Sequence, residues 1–422
     1  MKKIIGFDSW TKGAHHYQRL LPELAKQSIQ LTLVHIGSWG NEPSCPIEQK
    51  IGMLLTRDIK FYGGDEFERI LDIEKPDAVI FLSTQTFAHR ALIRYCNQRS
   101  IPTMNLYHGL VSVQDTVTDE SESSLVARVQ YVLSKVGKLL KHTLPCYIKS
   151  LIRTRASCKE WNRFLLDIYY MATGINPFRP ASDDSKTSKC CVYVEADVEH
   201  AVSCYGFDRR DVSVVGNPDF LQFGLEQSMI GSWRSPEETS EPSIMYIDCG
   251  FATGGYFFSS AQDFINHLIY TSHLLSGQGF KLCVKLKPHQ EGAYFLEKSI
   301  KSAGIELVSN EAFLQKLMTC KACIVETTTL AMVPAMVGMP LLFAQYGPLK
   351  LLSFGSVLTS YPRGHYVKDI VDIPVILKND IQNFDGDKFS KWLDLNAGPL
   401  PPERMPERTV NIITEMISGT IK

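Results

Sequence analysis

Four short segments combine cationic, acidic, imidazole and hydroxyl groups in patterns suited to a phosphorylated ligand. Tyr107-His108-Gly109-Leu110 sets an imidazole beside a glycine. With an ordinary pKa of about 6.5, such a histidine can take the proton of an attacking hydroxyl, or serve as a turn residue bonded to backbone. Lys285-Leu286-Lys287-Pro288-His289-Gln290 closes an apolar run with two ammonium groups and an imidazole, donors that fit a phosphate better than a neutral ligand. Glu326-Thr327-Thr328-Thr329 runs from an apolar segment into a helical one. Amides and hydroxyls at a helix start can receive an anion, and Glu326 is placed to accept from ribose hydroxyls; the same threonines also make ordinary helix caps. Asp248-Cys249-Gly250 puts an acid before a glycine-rich loop, where it can bond an acceptor, act as a base, attack as a nucleophile, or cap the turn. That loop matches neither the phosphate-loop nor the dinucleotide-binding spacing.

The elements that must position these groups alternate between strand and helix. Lys3–Phe7, Leu31–Ile36, Ile59–Tyr62, Ala78–Leu82 and Pro102–Leu106 are short apolar runs separated by helical periods, and the pattern resumes at Cys190–Glu195 and Val212–Val215. A second series follows a polar stretch: Ser243–Asp248, Lys281–Leu286, Ile305–Val308, Ala322–Val325 and Pro340–Phe343. This rhythm predicts an α/β protein with two parallel sheets of Rossmann type, whose ligands bind beyond the carboxyl ends of the strands. The expected division is 1–221 for an N-terminal acceptor domain, 222–242 for a linker, and 243–422 for a nucleotide-donor domain whose last helix can pack back on the first. A basic, helix-period insert is expected over about 115–185 in the first domain, with Pro145 as a break. Two uses fit it: a solvated helical bundle, or an amphipathic surface on an anionic membrane.

At 422 residues, two domains are the default for segments of about 100–200 residues each. A net charge of −1 provides no global field for nucleic acid, and none is expected as a partner. The 11 cysteines are mostly set in apolar runs, which predicts reduced, packed thiols. Cys320 and Cys323 have CxxC spacing but no second pair to complete a zinc site. The start of the chain reads as a first strand rather than a leader, and no run of about 18 apolar residues predicts a membrane span.

In order, the His108-Gly109 turn, Val215-Gly216-Asn217-Pro218, Lys287-Pro288-His289 and the segment from Glu326 to Pro340 resemble bacterial polymer-building GT-B enzymes. That group includes CDP-glycerol glycerophosphotransferases, capsule polysialyltransferases and the Kdo transferases of capsule and O-antigen assembly. The resemblance covers about 75–217 without the insert, and 244–343. It implies that His108 is the base, that His289 touches the donor phosphate, and that Thr327, Thr328 and Thr329 bind that phosphate beside Lys287, Glu326 and Gly250. By similarity to the retaining Kdo transferases, Asp248 is a nucleophile. Gln290 and Cys249 stand where the group has proline and glutamine. The implied function is a metal-independent, cytoplasmic glycosyltransferase, peripheral at the inner membrane face. It would need no cofactor and would move a sugar from a nucleotide-sugar donor to a lipopolysaccharide, capsule or lipid-linked glycan. The motifs favour cytidine-linked donors such as CMP-Kdo and leave three alternatives open: a CDP-alditol phosphotransferase, a UDP-sugar 2-epimerase-like isomerase, and a non-catalytic assembly protein.

Overall fold

Apolar runs that end in polar residues become parallel strands, and the amphipathic stretches between them cover the sheet faces. A computed structural model describes residues 1–40, 42–110, 139–173, 182–218, 220, 223–235, 242–253, 257–287 and 293–419. The chain forms two units. The first is built on Met1–His108, the described residues from 139 to Val215, and those from Arg404 onward; the second is built on Gly109, Leu110 and the described residues of Gly216–Glu403.

The sheet of the first unit has eight strands: β1 (Lys2–Asp8), β2 (Ile29–His35), β3 (Glu48–Ile51), β4 (Leu54–Asp58), β5 (Ala78–Phe81), β6 (Thr103–Leu106), β7 (Lys189–Val192) and β8 (Val212–Val214). Their order is β3-β4-β2-β1-β5-β6-β7-β8. All neighbours are parallel except β3 and β4. The direction of winding reverses between β1 and β5, the crevice where such sheets take ligands. One expectation is corrected here. Ile59–Tyr62 is a single 3₁₀ turn capped by Asp58, whose carboxylate accepts from the Lys60 amide; the strand lies just before it, at β4, in a hairpin with β3. Gly52, at φ 60°, makes the hairpin turn.

Part of the basic insert is described. Helices Leu144–Arg153 and Cys158–Thr173 bury Tyr147, Leu151 and Phe164 against Phe87, Ala91 and Leu92 of helix Phe87–Gln98. Pro145 occupies the first turn of its α-helix, where its missing N–H costs nothing, directly after a π-helical segment, Leu139–Thr143, so the expected break is a change of helix type. Arg90 fastens the layer: it donates to Asp184 at 3.0 Å, Asp167 at 2.8 Å and the Tyr147 hydroxyl at 2.8 Å. Lys149 and Arg153 pair with Asp65 and Glu68 of the same unit, so these two charges are partly neutralised locally. Residues 126–138 of the insert lie outside the described residues. Among those described, no helix is long and apolar enough to cross a membrane.

The second sheet is wholly parallel: β9 (Ser243–Ile247), β10 (Lys281–Lys285), β11 (Glu306–Leu307), β12 (Cys320–Val325), β13 (Leu341–Ala344) and β14 (Gly364–Val367). Its order, β11-β10-β9-β12-β13-β14, reverses between β9 and β12. Cys320 and Cys323 are buried on β12, and seven of the eleven cysteines are buried, while Cys158 is exposed. The C-terminal helix Met405–Ser418 packs on helix Leu21–Lys26 and β5 of the first unit.

Arg90→Ala should leave Asp184 buried with only the longer Arg94 contact, at 3.8 Å, as its cation. A loss of about 3–5 kcal/mol is expected, read by urea denaturation of the full chain.

Candidate functional site

In the second unit, the ends of β10, β9 and β12 are neighbours, and their loops carry the polar segments singled out in the sequence. Asp248 follows β9 and is 1% exposed. One carboxylate oxygen accepts from the Gly250 amide at 2.6 Å, and the other accepts from the Lys287 amide, beyond β10, at 3.1 Å. The acid therefore links two loops. Gly250 has φ 91°, a left-handed conformation, and a Cβ there would lie 2.7 Å from Lys287 Cδ. Glycine thus lets the lysine stem lie across the turn.

Glu326, after β12, is fully buried. It accepts from the Tyr246 hydroxyl at 2.6 Å and from the Cys249 amide at 2.7 Å. Burial, reinforced by the Asp248 charge, pushes its pKa well above the usual carboxylate range. The Cys249 thiol donates to the Thr327 carbonyl at 2.9 Å, and burial pushes its pKa up to about 12, so it is an inert thiol. Thr328 and Thr329 are half-buried at the start of the turn that leads into helix Met332–Val337; the Thr328 hydroxyl caps it by accepting from Leu330 N at 3.3 Å. Lys285 is 3% exposed and donates to the Leu286 carbonyl at 2.9 Å; burial lowers its pKa. The structure thus gathers Asp248, Gly250, Lys287, Glu326, Thr327, Thr328 and Thr329 on three adjacent strand ends, at the reversal of the sheet. His289 lies outside the described residues.

In the first unit, His108 follows β6 and is exposed. Its Nδ1 lies 2.9 Å from the Leu82 carbonyl oxygen, beyond β5. A carbonyl only accepts, so Nδ1 carries the proton and Nε2 keeps its lone pair. The His16 ring is 6.0 Å away, buried, with no partner for Nδ1. Burial, with His15, Arg19 and His108 nearby, lowers its pKa to about 2, so it stays neutral. Asp8, at the end of β1, is 9% exposed and accepts from Ser9 N at 2.5 Å. A Cβ on Gly13 would overlap the Asp8 carboxylate, so glycine is required for that approach. Burial raises the Asp8 pKa to about 6, against the Ser9 bond and with help from Glu42. Thr84, in the segment after β5, is buried with no partner for its hydroxyl. Asp8, His16 and Thr84 were not singled out in the sequence. The available signal was an acid closing the first strand of a parallel sheet, as Asp248 follows β9.

No family model matches the chain, and no curated protein sequence matches it. Solved structures do. The wall teichoic acid polymerase TagF superposes with a TM-score of 0.51 at 9% identity, over 100% of this chain and 90% of that one. A form of it soaked with CDPG gives 0.50 at 10% identity over the same shares. The MnaA–UDP co-structure from S. aureus gives 0.49 at 10% identity, over 99% of this chain and 97% of that one. At such identities the likeness establishes the fold: two parallel-sheet α/β units of GT-B type.

The folded chain holds the Asp8 proton more tightly than the unfolded one does. This contribution to stability is complete below the ordinary pKa of 3.8 and is lost as pH rises through about 6. Asp8→Asn removes this pH dependence, because the amide stays neutral at every pH. Urea denaturation should find the variant more stable than the parent by about 2–3 kcal/mol at neutral pH. The difference should grow between about pH 4 and 6 and then level off.

Proposed function

We propose that the chain is a nucleotide-dependent transferase of the glycosyl-transfer class, with the donor phosphate held in the second unit and the acceptor hydroxyl activated in the first. The observation that carries this reading is the gathering of Lys287 and the Thr327–Thr329 hydroxyls at the β9/β12 reversal. An ammonium and hydroxyls are donors that stabilise a leaving phosphate. Asp248 and Glu326 act here as positioning residues. Each is buried and bonded to loop amides, so we assign neither covalent attack to Asp248 nor ribose contact to Glu326. His289, two residues beyond Lys287, is proposed as a further phosphate ligand. On the acceptor side, His108 is the base: its Nδ1 proton is fixed on a backbone carbonyl, which leaves Nε2 to take the hydroxyl proton.

The donor we favour is cytidine-linked, with a CMP-linked keto-sugar acid such as CMP-Kdo first and a surface glycan as acceptor. A CDP-alditol is the second reading, favoured by the likeness to a teichoic acid polymerase structure soaked with CDPG. Thermal-shift titration with CMP, CDP, UDP and GDP should show stabilisation by the cytidine nucleotides; stabilisation by none of the four would overturn the assignment. Lys287→Met should weaken nucleotide binding about tenfold or more. His108→Gln should lower turnover by about a hundredfold or more with nucleotide affinity kept. If His108→Gln weakened nucleotide binding instead, the acceptor-side role would be wrong. Phosphorus analysis of the product separates the two donors, because only alditol-phosphate transfer builds phosphorus into the polymer.

A further inference from the structure

The loop after β2 and the end of β4, in the first unit, bring an imidazole, a thiol and two carboxylates together. His35 and Asp58 are fully buried, with His35 Nδ1 3.4 Å from Asp58 Oδ2. Cys45 Sγ lies 3.3 Å from that same oxygen. Ligand atoms of His35, Glu42 and Cys45 all fall within 4.8 Å of one another. The Gly37 amide donates to His35 Nδ1 at 3.3 Å, so that nitrogen bears no proton. The 3.4 Å contact between Nδ1 and the Asp58 oxygen is therefore not bridged by a hydrogen. The other ring nitrogen, Nε2, is buried without a partner. Gly37 keeps the approach open: a Cβ there would lie 2.8 Å from Glu42 Oε2 and 3.0 Å from His35 Nδ1.

Metal bonds of about 2.0–2.3 Å in a tetrahedron give ligand–ligand edges of about 3.3–3.8 Å. The two contacts to Asp58 Oδ2 match that spacing. We infer that His35 Nδ1, Cys45 Sγ and a Glu42 carboxylate oxygen, beside Asp58 Oδ2, form a binding site for a zinc-type divalent transition metal. A mixed imidazole, thiolate and carboxylate set suits that class rather than calcium or magnesium. On binding, the Cys45 thiol releases its proton to solvent and the sulfur bonds the metal. The Gly37 amide gives up Nδ1, and the incoming ion sheds water. No redox change is involved. The site is structural: Glu42 also accepts from Thr11 N at 3.1 Å and from Thr11 Oγ1 at 2.6 Å, so a bound ion would lock the turn Thr11–Gly13 that abuts Asp8.

The test uses the full chain, stripped with a chelator and titrated with Co²⁺, then with Zn²⁺ against a chromophoric chelator. The expected result is one equivalent bound, with a thiolate-to-cobalt charge-transfer band and a thermal midpoint raised by Zn²⁺. Cys45→Ser, checked for fold by circular dichroism, should lose the band and bind Zn²⁺ at least about tenfold more weakly. Glu42→Gln should keep the band and bind more weakly. The inference is overturned if the parent shows no such band, or if Cys45→Ser keeps it, which would place the cobalt on another cysteine.

Discussion

Two buried carboxylates hold the candidate donor site together. Asp248 ties the β9 loop to the amide that follows β10, and Glu326 ties the end of β12 to the amide of Cys249 and to Tyr246. Each acid leaves water at a large cost, which its hydrogen bonds offset only while the partner loops stay in register. The three strand ends are therefore coupled: shifting one loop strands a buried acid in another. Lys287 lies across Gly250, and its charge works against the Asp248 charge at Glu326. The hydroxyls of Thr328 and Thr329 inherit their placement from this bracing, because they directly follow Glu326.

The first unit repeats the device in a simpler form. Its central strand also ends in a buried acid, Asp8, next to a turn that needs glycine, and its sheet also reverses beside that strand. Asp248 meets two backbone amides, whereas Asp8 meets one, and burial with the charge of Glu42 raises its pKa to about 6. The second unit ties its acids to backbone amides, while the first carries the ionisable Asp8 beside two groups with unpartnered atoms, His16 and Thr84.

Much of this was legible in the sequence because a parallel strand has a strong signature, a short apolar run ending in polar residues. The strands around Asp248, Lys285 and Val325 were readable for that reason, and so was the place of the chemistry at their ends. The β3–β4 hairpin was not. Gln49, Lys50 and Arg57 give an edge pair a polar surface, and the more apolar Ile-Lys-Phe-Tyr run beside it drew the strand assignment. Roles that depend on what lies beneath a residue were also hidden. Glu326 beside three threonines reads as a ligand contact, and only the Tyr246 hydroxyl below it makes it an internal brace. His16 reads as one more helical residue, and only the fold sets its ring near His108.

Helix Met405–Ser418 lies on the first unit, although Gly216–Glu403 comes before it in the chain. During synthesis the ribosome therefore emits the whole second sheet before the helix that covers helix Leu21–Lys26 and β5. Until then the nascent first unit leaves apolar surface uncovered where Val410 and Ile413 will be buried, and a chaperone would find its substrate there. The second sheet has no such wait: its strands run consecutively, so it can close on itself before the first unit is finished.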